Sequence, residues 1–190
     1  LPLQLLYLGS FYGEYRPDDF ILALRFLEKK DHQLHEKIQV TFVGDYDRAT
    51  LSLFGHTELK NILTRRAYFP HSELQTMRDK ASVYFLYLPQ TKKEIGAMIP
   101  QKVFEYLADR KPIFAIVPEY SDVANILRKS GGAHIAMPGN ALDIAKEITK
   151  LIKSYDFGSL TGTTADLSQY ERKYLTGQLA SLIKKVADDK

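Results

Sequence analysis

The chain has 190 residues, 45% hydrophobic and 26% charged, which suits one well-packed globular domain and leaves little for a second. A formal net charge of +3, dispersed along the chain, is too weak to point to nucleic acid as the main partner. The absence of cysteine excludes a disulfide scaffold, a thiolate metal site and a cysteine nucleophile, and no apolar run is long enough to span a membrane.

In chain order the first element is a strand, residues 3–8. The chain begins almost inside it, with no signal segment ahead, and so reads as a piece of a longer protein. The loop from Gly9 to Pro17 follows. Its two glycines permit close backbone approach, Arg16 offers a bidentate phosphate contact, and the next helix offers free N–H groups to an anion. The alternative is an ordinary strand-to-helix turn with a solvated arginine. There is no G-x-G-x-x-G spacing, so nothing favours NAD. The helix carries Phe20, Ile21, Leu24 and Leu27 on one stripe, with Asp18 behind Pro17 as its cap. Strands at 38–43 and 62–68 come next, then a helix over 73–80 capped by Ser72. A fourth strand is expected at 82–88, followed by a polar loop, Gln90 to Met98, whose backbone amides could cradle a sugar or diphosphate.

Residues 99–118 are the most informative stretch. Pro100 opens a helix, Asp109, Arg110 and Lys111 form a charged turn, and residues 112–117 read as a buried strand. Spacing puts Val103, Phe104 and Leu107 on the core side and Gln101, Lys102 and Glu105 on the other. A carboxylate at Glu105 has two acceptor oxygens to match two vicinal ribose hydroxyls, and Lys102 could face a phosphate. The alternative is a surface Lys/Glu pair. A helix marked by Val123, Ile126 and Leu127, a strand at 133–137 and a helix over 142–152 complete the alternation.

Most of these strands are near-continuously apolar, and they alternate with helices. The expected fold class is α/β: a doubly wound, Rossmann-like, parallel six-stranded sheet with helices on both faces. Residues 155–167 break the pattern as a Gly/Thr/Ser-rich linker. A last amphipathic helix follows, with Tyr170, Tyr174, Leu175, Leu179, Leu182 and Ile183. It is expected to pack back on this domain or onto a missing one. The chain therefore divides into 1–154 and 155–190. The five histidines show no metal-ligand spacing, there is no nucleophile elbow or Walker A loop, and most of the 12 Tyr and 10 Phe fall at core positions.

The run from Pro100 through Lys102, Phe104, Glu105, Tyr106, Leu107 and Ala108 to Lys111, Pro112 and Ile113 resembles the donor-binding motif of GT-B glycosyltransferases, close to family 4. Tyr7 to Tyr12 and on to Arg16 resembles that family's first strand and phosphate loop. Val43-Gly44-Asp45 resembles the end of its second strand, Ala67 to Leu74 its third-strand exit, and Asp166 to Val186 its terminal crossing helix. The resemblance covers nearly the whole chain. It implies the C-terminal half of a GT-B fold, binding a nucleoside diphosphate sugar. The transfer would go to a glycan, lipid or other acceptor, in polysaccharide assembly, with retention.

By resemblance Glu105 holds the ribose hydroxyls, and Arg16 and Lys102 meet the diphosphate. Gly9, Ser10, Phe11 and Tyr12 line the phosphate loop. Gly96, Ala97, Met98 and Ile99 meet the sugar through backbone groups, and Tyr68, Phe69 and His71 line the base. No metal and no cofactor beyond the UDP- or GDP-sugar is implied. The implied setting is cytoplasmic, at most peripheral to the inner face of a membrane. Acceptor binding, and any membrane contact, fall to an N-terminal domain, so this piece alone is expected to transfer nothing. Two departures stand out. Many members carry a glutamate eight positions before the ribose glutamate, where this chain has Ala97, and a basic residue where it has Ser10. Two other readings stay open: a GT-B-related UDP-sugar epimerase, and a non-catalytic α/β domain.

Overall fold

A computed structural model describes residues 1–13, 15–67, 71–89 and 98–188. Six strands form one sheet: β1 (Leu3–Leu8), β2 (Ile38–Val43), β3 (Leu63–Arg66), β4 (Val83–Tyr87), β5 (Ile113–Ile116) and β6 (Ala133–Ala136). Every pairing is parallel and the spatial order is β3-β2-β1-β4-β5-β6. The order reverses between β1 and β4, the switch point where doubly wound sheets open a crevice at their carboxyl ends. This is the α/β architecture read from the sequence.

Each sheet face has its own core, because parallel strands are buried on both sides. One face is aromatic: Tyr7, Phe11, Phe20, Phe42, Phe85 and Phe114 pack together under α1 (Asp18–Lys30) and α7 (Ala141–Asp156). The other is mainly aliphatic, built from Leu6, Leu86, Val103, Leu107 and Val123, with Tyr84 and Tyr106 stacked at 4.3 Å. It lies under α4 (His71–Lys80), α5 (Gln101–Ala108) and α6 (Asp122–Ser130). Two short helices, α2 (Leu34–Lys37) and α3 (Arg48–Leu53), complete the chain before β3. Being an edge strand with two arginines, β3 is largely exposed and shorter than the expected 62–68.

Several local expectations are corrected. Asp18 does not cap α1; Pro17 stands at the cap without a side-chain bond, and Asp18 holds Arg16 instead. Helix α4 already begins at His71, so Ser72 lies inside it. On α5 the buried residues are Val103, Tyr106 and Leu107, and Phe104 is only half-buried, against Tyr170. Tyr106 takes the core position, stacked on Tyr84, and Lys102, one turn before it, turns inward with it rather than outward with Gln101 and Glu105.

The linker is a packed strap. Thr163 is buried and its hydroxyl donates to the Ser130 carbonyl. Arg110, at φ 54°, donates to the carbonyls of Thr163 and Ala165 at 3.4 and 3.3 Å. A Cβ at Gly162 would come within 1.7 Å of the Arg110 carbonyl oxygen, so only glycine fits there. Beyond the strap, α8 (Arg172–Asp188) leaves Tyr174, Leu175, Leu179, Leu182, Ile183 and Val186 exposed; it does not pack back on the sheet domain.

Candidate functional site

The crevice at the switch point is shaped by what happens to β1 at its carboxyl end. Strand β1 pairs with β2 along its whole length but with β4 only at Leu5 and Leu6. Leu8 therefore has no strand partner on the β4 side. Helix α5 supplies both missing hydrogen bonds. The Leu8 N–H donates to the Tyr106 hydroxyl at 3.2 Å, and the Lys102 ammonium donates to the Leu8 carbonyl at 2.9 Å. Four-residue spacing puts these two side chains on the same helix face, one above the other.

The Lys102 ammonium also sits 4.5 Å from the Tyr7 ring centroid and 3.5 Å from the Tyr7 hydroxyl. It lies directly under Gly9, where a Cβ would meet Nζ at 2.6 Å; the backbone there has φ 148°, a region glycine favours. Burial strips water from the ammonium and lowers its pKa to about 8, with Glu105 partly offsetting this.

The loop after β1 folds down on the same crevice. Tyr15 donates to the Tyr87 carbonyl at the end of β4 and hydrogen-bonds the Tyr7 hydroxyl. The Ser10 hydroxyl accepts from the Asp45 N–H at 3.2 Å, Tyr12 is exposed, and the Gly13 N–H donates to Asp47 at 2.8 Å. Phe11 is not on the ligand side. It is fully buried, stacked 4.4 Å from Tyr7, and its N–H donates to the Asp45 carbonyl. An aromatic ring after a glycine is used here as a core plug.

Arg16 is engaged by Asp18 at 3.0 and 2.6 Å. The expected anion site at the start of α1 is already occupied by the chain's own carboxylates: Asp18 and Asp19 stand in the first turn, and Asp19 accepts from the N–H groups of Phe20 and Gly139.

Glu105 is exposed, with its carboxylate 3.8 Å from Arg78. Arg78 is itself held by Asp109 at 2.9 Å and by the Tyr84 hydroxyl at 3.3 Å. Met98 and Ile99 lead into α5 as exposed residues, and His71 opens α4. Tyr68, Phe69, Gly96 and Ala97 lie outside the described residues. Among the described residues no cluster of His, Asp and Glu could hold a metal ion, and no helix is long and apolar enough to cross a membrane.

Sequence reasoning missed Tyr7 as a partner of Lys102, and Tyr15 and Tyr106 as the groups that hold Tyr7 and Leu8 around it. Only Tyr106 carried a signal, its four-residue spacing from Lys102.

No protein-family model matches the sequence, and no curated protein does. Solved structures do match. The chain superposes on the C-terminal domain of a glycosyl transferase group 1 family protein, LpcC from Francisella tularensis, with TM-score 0.61 and 13% identity, covering 84% of this chain and 81% of that one. The fold is that of the C-terminal domain of GT-B glycosyltransferases. Two larger chains of this fold agree. TarM from S. aureus, solved with UDP, matches at TM-score 0.60 and 13% identity over 84% of this chain. Sucrose-phosphate synthase from Thermosynechococcus elongatus matches at 0.61 and 14% over 100% of it. This chain spans only 30% of the TarM chain and 46% of the synthase chain. In all three the likeness to this chain is one of GT-B fold.

Proposed function

We propose that this chain is the nucleotide-sugar donor-binding domain of a glycosyltransferase. The observation that carries the reading is the position of Lys102. A single helix delivers a cation onto the end of β1, at the switch point, with Glu105 three residues further on. Glu105 would accept from the two ribose hydroxyls; its contact with Arg78 is long, with the carboxylate side open to solvent, and competes weakly. Arg16 would exchange Asp18 for a phosphate oxygen. Exposed pairs of this kind are worth roughly 0–1 kcal/mol, so the exchange costs little.

In the reaction the sugar–phosphate C–O bond breaks and its electron pair leaves with the nucleoside diphosphate. The acceptor hydroxyl bonds to the sugar carbon and gives up its proton. Charge grows on the departing diphosphate, and Lys102 and Arg16 would stabilise it electrostatically. Transfer with retention to a glycan, lipid or other acceptor is part of this proposal, as is an acceptor-binding domain elsewhere in the protein.

The test is calorimetric titration of the chain with UDP, GDP and ADP. One of the three should bind. Glu105→Ala should weaken it by about 1.5–3 kcal/mol, the worth of a hydrogen bond to a charged group. Unchanged affinity in a folded Glu105→Ala variant would remove Glu105 from the site.

A further inference from the structure

The setting of Lys102 says more than that it is basic. Its ammonium has three donors. One is spent on the Leu8 carbonyl at 2.9 Å; the Tyr7 hydroxyl, at 3.5 Å, is a marginal partner. Among the described residues no carboxylate lies within ion-pair distance of it, and the nearest on its own helix, Glu105, is paired with Arg78.

Among the described residues the other titratable groups around it are hydroxyls: Tyr7 from β1, which it faces, Tyr15, which bonds Tyr7 from the β1–α1 loop, and Tyr106 from α5, which shares Leu8 with it. Burial pushes all three hydroxyls well above their ordinary pKa, so they stay neutral and supply no counter-charge. They run in sequence, from Lys102 to Tyr7, to Tyr15, to the Tyr87 carbonyl, across the ends of both switch-point strands. The site thus holds a cation short of partners, at the place where the donor reading puts a dianionic group.

We propose that Lys102 registers the diphosphate: a nucleoside diphosphate arriving at the end of β1 takes the donors that the ammonium has left over from the Leu8 carbonyl and binds with net uptake of a proton at alkaline pH. This rests on the donor-domain reading. The free ammonium is partly deprotonated near pH 8 for want of water and counter-charge. A diphosphate beside it supplies the missing charge and restores the proton. A nucleoside diphosphate contributes no proton of its own, since its terminal phosphate is already ionised well below that pH.

Two measurements test this. In the free chain, the ionisation of Lys102 is read from the pH dependence of its acylation, by peptide mass mapping. A midpoint near 8, well below that of the other lysines, is expected. An ordinary lysine midpoint overturns the proposal. Then UDP and GDP are titrated at pH 8.5 in buffers of different ionisation enthalpy. Above the midpoint most of the ammonium is lost, so binding should take up a measurable fraction of a proton per ligand. Lys102→Arg, whose guanidinium stays protonated at this pH, should take up none. Binding of either ligand without uptake, or uptake that persists in Lys102→Arg, overturns the proposal alone. Failure of both ligands to bind a chain whose Lys102 titrates near 8 overturns the donor reading, and the diphosphate role with it.

Discussion

Helix α5 is bracketed by two lysines that do similar things with different results. Beyond its carboxyl end, Lys111 donates to three carbonyls, those of Arg78, Asp79 and Ala81, where α4 leaves its last backbone acceptors open. All three of its donors are used, in the place where a helix dipole favours a cation. At the amino end, Lys102 has one good carbonyl, an aromatic ring and a distant hydroxyl. Both ammonium groups tie α5 to a neighbouring element. Lys111 is saturated by backbone and belongs to the fold, while Lys102 is under-supplied among the described residues, as the proposed diphosphate role requires.

The comparison can be broken most directly at Lys111. Lys111→Met should cost about 1–2 kcal/mol, because it leaves part-buried carbonyls at the end of α4 without a donor. Urea unfolding checks this, and nucleotide affinity of the folded fraction should not change. A loss below 1 kcal/mol would put the two lysines in the same class.

Lys102→Met should behave oppositely. Removing a poorly partnered buried charge should raise stability at pH 7 by about 1 kcal/mol, while UDP binding is lost. The sign follows from the lowered pKa. Between about 8 and the ordinary lysine value, the unfolded chain holds a proton that the folded one has released, so the folded protein gains stability as pH rises through that window. The advantage of the variant is therefore full below pH 8 and fades above it. Thermal melts of both proteins from pH 7 to pH 10 would show it, and an advantage independent of pH would contradict the account.

Arg16 sharpens the contrast at the smallest scale. Its pair with Asp18 is exposed, so Arg16→Ala should move stability by less than about 0.5 kcal/mol. It should still weaken UDP more than uridine. Equal losses for the two would take Arg16 away from the phosphates.

What the sequence made legible follows period and content. Apolar runs marked the strands, and three- and four-residue spacing placed Glu105 on the outward part of α5, whereas Lys102, expected beside it, turns inward under Gly9. Phe104 and Tyr106 were interchangeable on that evidence of spacing, because both flank the stripe; only the third dimension chose Tyr106, whose hydroxyl serves the Leu8 N–H. Phe11 was misplaced because a loop position carries no periodicity, and burial by the rings of Tyr7 and Tyr15 cannot be read from order alone. The pull of Asp18 on Arg16 was readable as a two-residue spacing, but the competing role as helix cap hid it.

The strap before α8 has a mechanical consequence. Its root is fixed to the turn after α5 through Arg110, Gly162 and Thr163, and Tyr170 leans on Phe104 with ring centroids 5.2 Å apart. From that root α8 projects 17 residues, a lever of about 25 Å. Whatever grips its apolar side applies torque at Phe104, two residues from Lys102 and next to Glu105. A load on the arm is thus delivered to the helix that carries both.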